Sequence, residues 1–569
     1  MSTETYPKIV RIAPQSCQAP SSYFERGHLP STPEGPIASP PGMMQFTDGG
    51  GKSNGSVATR LIAQAADHQP LILRTTNFAA LPNGTLIEIV RPGGSVGNAL
   101  KFLVWDGMTS SIVDYFDHDG YRLIPPQLDE KVYRNLNLRL PTEIDWPASS
   151  AREIFDQLCD LLHDVVDLPK PSLRLVVAYI LATWFIDQLP VAPYLCITGP
   201  PGSGKTTLLR WLHCLCRRAV LIAGPPDAAV YSLPALLRPT LLLDEGCFNA
   251  TSKGQFLECW LRASNVPGIP VPMRGQLVDG YGAKVLCSRR PVADVALASR
   301  ALHISMVPTT RAFEPVDEEE LEQTAAVWQT TLLWLRLLSY VKVEPYGIKL
   351  QAGFSPRMQD LQRALMVPFS MDQETAPELV SALSDQEWDA ATEKHDSPEG
   401  LVVGALFLLC HQEKVSKVFV GQLACVINNS RKLVGEEGDL KPRAVGAILK
   451  SLGLKTRKMG NLGRGIVFTD ECRVRVHDLL QAYVMQPSNE LIAGCSTCKE
   501  RFQPTIQPQN ETARPQERTA QPQALQLQQL MDELRQAMAR SEKMAAPLPK
   551  ATATAPRATV PPWGQKANK

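Results

Sequence analysis

The chain carries almost no net charge: 58 Lys and Arg stand against 57 Asp and Glu in 569 residues, a formal +1. This balance excludes a globally polybasic or polyacidic protein, so any electrostatic footprint for nucleic acid must be local. Long apolar runs are also missing. The longest, Leu175 to Ile186, is shorter than the ~20 residues that cross a bilayer. It is flanked by Arg174 and Asp187, so it reads as a buried helix, and no membrane partner is expected. The start, Met1-Ser2-Thr3-Glu4-Thr5, has no charged segment leading into an apolar stretch. No secretory signal is therefore expected, and the cytoplasm is the expected compartment. The 13 cysteines are odd in number and often lie inside apolar segments (Cys196, Cys287, Cys410, Cys425), which argues against a disulfide framework and for a reducing environment. Cys495-x-x-Cys498 is the only CxxC pair and has no second pair nearby, so it is half of a zinc or redox motif. No internal repeat is visible, which argues against a solenoid.

What the chain does have is a phosphate-binding loop pattern. Gly199-Pro200-Pro201-Gly202-Ser203-Gly204-Lys205-Thr206 fits G-x-x-x-x-G-K-[ST]. The apolar run Tyr194 to Thr198 predicts a buried strand before it, and Thr207 to Leu212 opens a helix after it. Glycines let successive backbone N–H groups turn toward a polyphosphate, and the helix N-terminus adds its positive dipole end. Lys205 supplies a point charge to the β- and γ-phosphates. The Thr206 hydroxyl is a natural ligand for Mg²⁺.

Thr240-Leu241-Leu242-Leu243-Asp244-Glu245 predicts a second buried strand that delivers two acids to the sheet edge where nucleotides bind. Asp244 is placed to hold the metal shell, and Glu245 to orient and polarise an attacking water. Ala219 to Ala223 leaves room for one more strand between the two motifs, as in ATPases rather than simple nucleotide kinases. The acid pair also speaks against a small-molecule kinase, which has to exclude water rather than position it. Lys284 to Ser288 predicts a further strand, and Ser288 either contacts the γ-phosphate or simply ends that strand. Arg300 precedes the strand Ala301 to Met306. It is placed to reach the γ-phosphate of a neighbouring subunit, or else forms a structural ion pair.

These motifs resemble an AAA+ ATPase core. The compact spacing is similar to superfamily 3 helicases of viruses and to the ATPase parts of phage-type primase–helicases. Leu173 to Met306 resembles a bacterial group of such ATPases, on Thr183-Trp184, Pro193-Tyr194-Leu195, the phosphate loop, Pro239 through Glu245, Lys284 and Ser299-Arg300. A looser similarity extends to about residue 485 and covers neither end. The resemblance implies ATP as ligand, hydrolysis with Mg²⁺, and a homo-oligomer. The expected fold class is α/β, a three-layer P-loop core with an added strand between the two motifs, a small β-rich N-terminal domain and a C-terminal winged helix.

Composition divides the chain further. Residues 1–55 are rich in Pro, Ser and Gly and read as disordered. Residues 56–145 carry short β-like runs separated by Pro82-Asn83-Gly84, Pro92-Gly93-Gly94 and Asp106-Gly107. Residues 146–310 form the ATPase core, 311–395 a helical connector, 396–486 the winged helix, and 487–569 a disordered Gln/Pro-rich tail. Within that tail Ala524 to Met544 is a candidate helix for a protein partner.

Two features bear on DNA. A hairpin between Gly268 and Tyr281, with Arg274 near its tip, is similar to the DNA-gripping hairpin of superfamily 3 helicases, although Arg274 on its own is better read as part of a solvated loop. In the 396–486 segment, Lys441, Arg443, Lys450, Lys455, Arg457, Lys458 and Arg464 give a basic helix and a basic wing, a footprint for binding phosphates. The alternatives are a winged helix used for protein contacts and, for the whole chain, a nucleotide-dependent oligomeric switch or scaffold without motor activity.

Overall fold

The computed structural model describes residues 71–502 apart from 93–98, 129–135, 143–148, 225–227, 246–251, 274, 293, 315–316, 371–375, 413–414, 434–437, 461–462, 484, 486 and 488. The expected disordered ends at 1–55 and beyond 502, the helix at Ala524 to Met544, and Arg274 lie outside the described residues. The chain divides into two units, residues 1–387 and 388–569.

Among the described residues, the first unit opens with seven short strands: β1 (Ile72–Thr75), β2 (Phe78–Ala80), β3 (Leu86–Val90), β4 (Lys101–Trp105), β5 (Ser110–Val113), β6 (Phe116–His118) and β7 (Tyr121–Ile124). The strands β2-β3-β4-β5 form an antiparallel meander, and β1-β7-β6 form a separate small sheet. The turns follow from their residues. Asp119 and Gly120 between β6 and β7 have φ of 48° and 76°, the pair of positive values that a two-residue hairpin with right-handed strand twist requires.

A parallel α/β layer follows. Helices α1 (Ala151–Val165) and α2 (Lys170–Thr183) lead into β8 (Tyr194–Thr198), α3 (Lys205–Leu215), β9 (Val220–Ile222), α4 (Ala228–Leu237), β10 (Leu241–Leu243) and α5 (Ser252–Ala263). A hairpin of β11 (Val271–Met273) and β12 (Gln276–Val278) precedes β13 (Lys284–Ser288), the short α6 (Val295–Ala298) and β14 (Ala301–Ser305). Helices α7 (Glu318–Ser339), α8 (Pro356–Met366) and α9 (Ala376–Asp396) follow. Asp317 caps α7 by accepting from the Glu320 amide at 2.8 Å, and the acids behind it suit the positive helix end.

The five strands of the parallel sheet run in the order β14-β8-β13-β10-β9. Both faces are covered, which is why β8, β10 and β13 are buried along almost their whole length. The strand expected between the two motifs in sequence is present as β9. The strand that follows the glycine loop in sequence, β9, lies at the edge, and β13 separates β8 from β10. The β-rich segment differs from the small domain expected, because it does not have a core of its own. Leu86, Phe102 and Trp105 belong to the same buried cluster as Leu195, Leu242 and Trp334, and Trp105 meets Trp334 edge-on with centroids 5.3 Å apart.

The second unit contains α10 (Pro398–Cys410), β15 (Lys417–Phe419), α11 (Val420–Leu433), α12 (Pro442–Ser451), β16 (Arg457–Lys458), β17 (Arg464–Val467) and α13 (Asp470–Ala482). Its sheet is ordered β15-β17-β16, antiparallel throughout, over a core of its own. The expected featureless tail begins later than composition suggests, because two short helices, α14 (Asn489–Gly494) and α15 (Ser496–Arg501), follow α13. Among the described residues no helix is long and apolar enough to cross a membrane.

A buried ionic cluster ties the β-rich strands of the first unit to its α/β layer. Glu88, in the middle of fully buried β3, accepts from Arg217 at 2.8 and 2.9 Å, from Arg218 at 2.5 Å and from Arg336 at 2.6 Å. Asp187 lies 2.9 Å from Arg336 and 3.5 Å from Arg217. The Phe78 and Tyr340 rings stack on Arg336 at 4.5 and 4.7 Å. Burial pushes the Glu88 carboxyl up, but Arg217, Arg336 and Arg218 together outweigh burial and hold it at about 2. The folded value lies below the ordinary 4.5, so this contribution to stability is complete above that pH and is lost as pH falls toward 2. Glu88→Gln would leave three guanidinium groups facing one carboxylate. It is expected to cost about 3–5 kcal/mol in denaturant titrations at neutral pH and to flatten the acid limb of the stability profile. A loss below about 1 kcal/mol, the scale of exposed pairs, would contradict a structural role for the cluster.

Candidate active site

The glycine loop connects β8 to α3. Gly199 has no room for a side chain: a Cβ there would lie 2.3 Å from the Met306 carbonyl oxygen and 2.7 Å from the Ser203 hydroxyl. Met306 is held in place because its amide donates to the Thr198 carbonyl at 2.7 Å. Gly202 and Gly204 have φ of 79° and 84°, left-handed values that favour glycine. Gly204 is the N-cap of α3 and offers no capping side chain, so the first-turn amides and the positive end of the helix are left to the loop. The Ser203 hydroxyl is buried with no hydrogen-bond partner among the described residues. Lys205, 7% exposed, curls back to donate to the Gly199 and Pro200 carbonyls at 2.8 and 2.9 Å.

The parallel register sets what faces this loop. Thr198 pairs with Ser288, and Leu243 pairs with Leu286, so Asp244 and Glu245 leave β10 at the edge where β8 enters the loop. The Asp244 carboxylate accepts from the Glu245 amide at 2.8 Å. Burial pushes the neighbouring Cys287 thiol up to about 12, and the Asp244 carboxylate adds to the push. Glu245 reaches Lys205 at 3.5 Å and accepts from Arg289 at 2.6 Å. A cleft of about 510 Å³ is lined by the loop from Pro201 to Thr207 together with Asp244, Glu245 and Arg289. Thr206 and Thr207 are exposed toward it.

Arg289 was not predicted as a site residue. It follows Ser288 as an ordinary surface arginine, and only its 2.6 Å approach to Glu245 marks it out. A second cavity, about 440 Å³, also escaped sequence reasoning. It opens against Gly202, Gly204 and Thr207 and is walled by Val166, Trp211 and Phe313, which come from separate segments with no shared motif.

Two predicted residues are placed differently from the cleft residues. The Ser288 hydroxyl donates to the Arg290 carbonyl. Arg300 lies at the opposite edge of the sheet from the loop of its own chain, because Ala301 pairs with Tyr194 while Ser305 pairs with Thr198. A strand of this length separates the two edges by roughly 13 Å. Arg300 contacts the Ala296 carbonyl, and its Nε lies 3.3 Å from the Asn265 amide.

The hairpin expected near residue 274 is present as β11 and β12. In the second unit, Lys441, Arg443, Lys450, Lys455, Arg457, Lys458 and Arg464 are all exposed. None of the seven has an ion-pair partner among the described residues. Arg443 and Lys450 share a face of α12, and Lys458 pairs across the ladder with Arg464, which also holds the Thr456 carbonyl at 2.8 Å.

No protein-family model matches the chain, and no curated protein matches it. Among solved structures, the chain is similar to the C-terminal region of NrS-1, with 13% identity over 67% of this chain and 96% of that one and a TM-score of 0.29. It is also similar to the JCV helicase, with 16% identity over 41% of this chain and 72% of that one and a TM-score of 0.21. The likeness is weak in both cases.

Proposed function

We propose that the first unit is a Mg²⁺-dependent, ATP-hydrolysing P-loop core of AAA+/helicase type that works as a homo-oligomer. The observation that carries this reading is the meeting of Lys205 and Glu245, 3.5 Å apart, in a cleft formed by a glycine loop and the acidic end of a neighbouring strand. The residues present fit a nucleotide with its metal. Ser203 offers a buried hydroxyl without a partner, and Thr206 and Asp244 are hard oxygen donors at the same edge of the sheet. Mg²⁺ held by Thr206 and Asp244 would neutralise phosphate charge.

The chain's own residues supply the rest. Lys205 exchanges the Gly199 and Pro200 carbonyls for β- and γ-phosphate oxygens. Glu245 orients and polarises the attacking water, and Arg289 holds its carboxylate in place. Ser288 is the candidate partner of the γ-phosphate. The second cavity, with Trp211 and Phe313 in its walls, suits the base and ribose. Arg300 lies just before β14, at the far edge of the sheet from its own loop, which favours a role at the site of an adjoining subunit. Glu245→Gln is expected to cut steady-state hydrolysis by about 100-fold or more while retaining bound ATP. Near-normal turnover in that variant would remove Glu245 as the base. Oligomerisation driven by ATP with no turnover in the unmodified chain would favour the switch.

We further propose that the second unit is a winged helix that engages DNA. Its order of one helix, a strand, two helices and a two-stranded hairpin supports the fold, and the unpaired basic face of α12, β16 and β17 supports the partner. Reversing charge at Lys455, Arg457 and Lys458 is expected to weaken DNA binding and to lower the salt slope by about 0.9 for each phosphate left without its cation. Unchanged affinity and slope would assign this face to protein contacts instead.

A further inference from the structure

Four side chains far apart in sequence converge in the second unit, and the proposed ATPase uses none of them. They are His411 after α10, His477 on α13, Cys495 before α15 and Cys498 within it. One ligand atom from each lies within 4.8 Å of all the others. Tetrahedral coordination at ordinary zinc bond lengths needs donor atoms about 3.3–3.8 Å apart, so a small inward movement completes the shell. The donor set is two sulfurs and two imidazole nitrogens with no carboxylate, which suits Zn²⁺ and not Mg²⁺ or Ca²⁺.

A second observation is independent of this convergence. The Nδ1 atoms of His411 and His477 lie 2.8 and 2.7 Å from the carbonyls of Phe407 and Arg473, each one helical turn back. A carbonyl only accepts, so Nδ1 carries the proton and Nε2 presents its lone pair. Both lone pairs point at sulfur: His411 Nε2 lies 3.2 Å from Cys498 Sγ, and His477 Nε2 lies 3.4 Å from Cys495 Sγ. Backbone carbonyls that orient ring nitrogens toward a common point are the usual outer shell of a zinc histidine.

We propose that His411, His477, Cys495 and Cys498 form a structural zinc site that fastens the segment after α13 to the second unit. Two thiolates and two neutral imidazoles balance the charge of one Zn²⁺, and binding releases the two thiol protons. The site explains why α14 and α15 are ordered. Each has six residues, too few to be stable alone. Cys498, 0% exposed, is the buried anchor of α15, and Arg501 adds an ion pair to Asp478 at 3.0 Å. The structure thereby completes the half-motif at Cys495 and Cys498 with two histidines that sequence spacing does not connect to it.

The test is metal analysis of the untagged full chain, purified without chelator and dialysed. One zinc per chain is expected, released stoichiometrically by a thiol-blocking reagent. Cobalt exchange should produce tetrahedral d–d bands with thiolate-to-cobalt charge transfer, a readout that needs no variant. Cys498→Ser and His477→Ala should each lower zinc content at least several-fold and expose residues 489–502 to protease. Any one of three results would overturn the assignment: no zinc in chain produced with ample zinc, zinc content unchanged in Cys498→Ser, or a mass showing Cys495 and Cys498 joined as a disulfide.

Discussion

The parallel pairing of β8 with β13 is the constraint on which the first unit depends. It sets Thr198 beside Ser288 and, one strand further, carries Asp244 and Glu245 to the same edge. Without β13 between them, β8 and β10 would be neighbours only about 4.8 Å apart. With it inserted, the loop with Lys205 and the two acids line one cleft of about 510 Å³. The same pairing on the other side of β8 puts Arg300 at the far edge. One register therefore carries Thr198, Asp244 and Glu245 to one edge of the sheet and Arg300 to the other.

The loop and the ionic cluster sit at opposite ends of α3 and are stabilised in opposite ways. At the N-terminal end, the loop depends on positive-φ glycines and on the close approach of Met306 to Gly199. At the C-terminal end, Arg217 and Arg218 are locked onto Glu88, and Thr183 accepts from the Arg217 amide at 3.1 Å. Trp184 adds a bond to the Leu215 carbonyl at 3.1 Å. Lys205 thus opens a helix whose far end is fixed, and fixed geometry lets a point charge act at a defined place. The β-rich segment supplies Glu88 and so belongs to the support of the site.

The legible parts of the molecule are those whose physics is local. The glycine loop, the apolar strands β8, β10 and β13, the Asp317 cap of α7 and the helix-strand order of the second unit each follow from a few adjacent residues. Spatial order does not. Whether β9 or β13 separates β8 from β10 depends on crossovers that no local pattern encodes. Arg289, the cavity walls at Trp211 and Phe313, and the meeting of His411 with Cys498 all come from segments that fold together without any common spacing. Glu88 was hidden in another way, because a single acid in the run Leu86-Ile87-Glu88-Ile89-Val90 looks like a solvent-facing position, yet the whole strand is buried. Polar composition after residue 487 likewise concealed α14 and α15, whose order rests on a few buried side chains.

The most direct measurement of the central claim is steady-state phosphate release from ATP by the purified full chain, with and without Mg²⁺, beside Lys205→Ala. The account predicts Mg²⁺-dependent turnover that falls to background in the variant. Phosphate release equal in the two proteins, or none from the unmodified chain with or without single-stranded and duplex DNA, would contradict it.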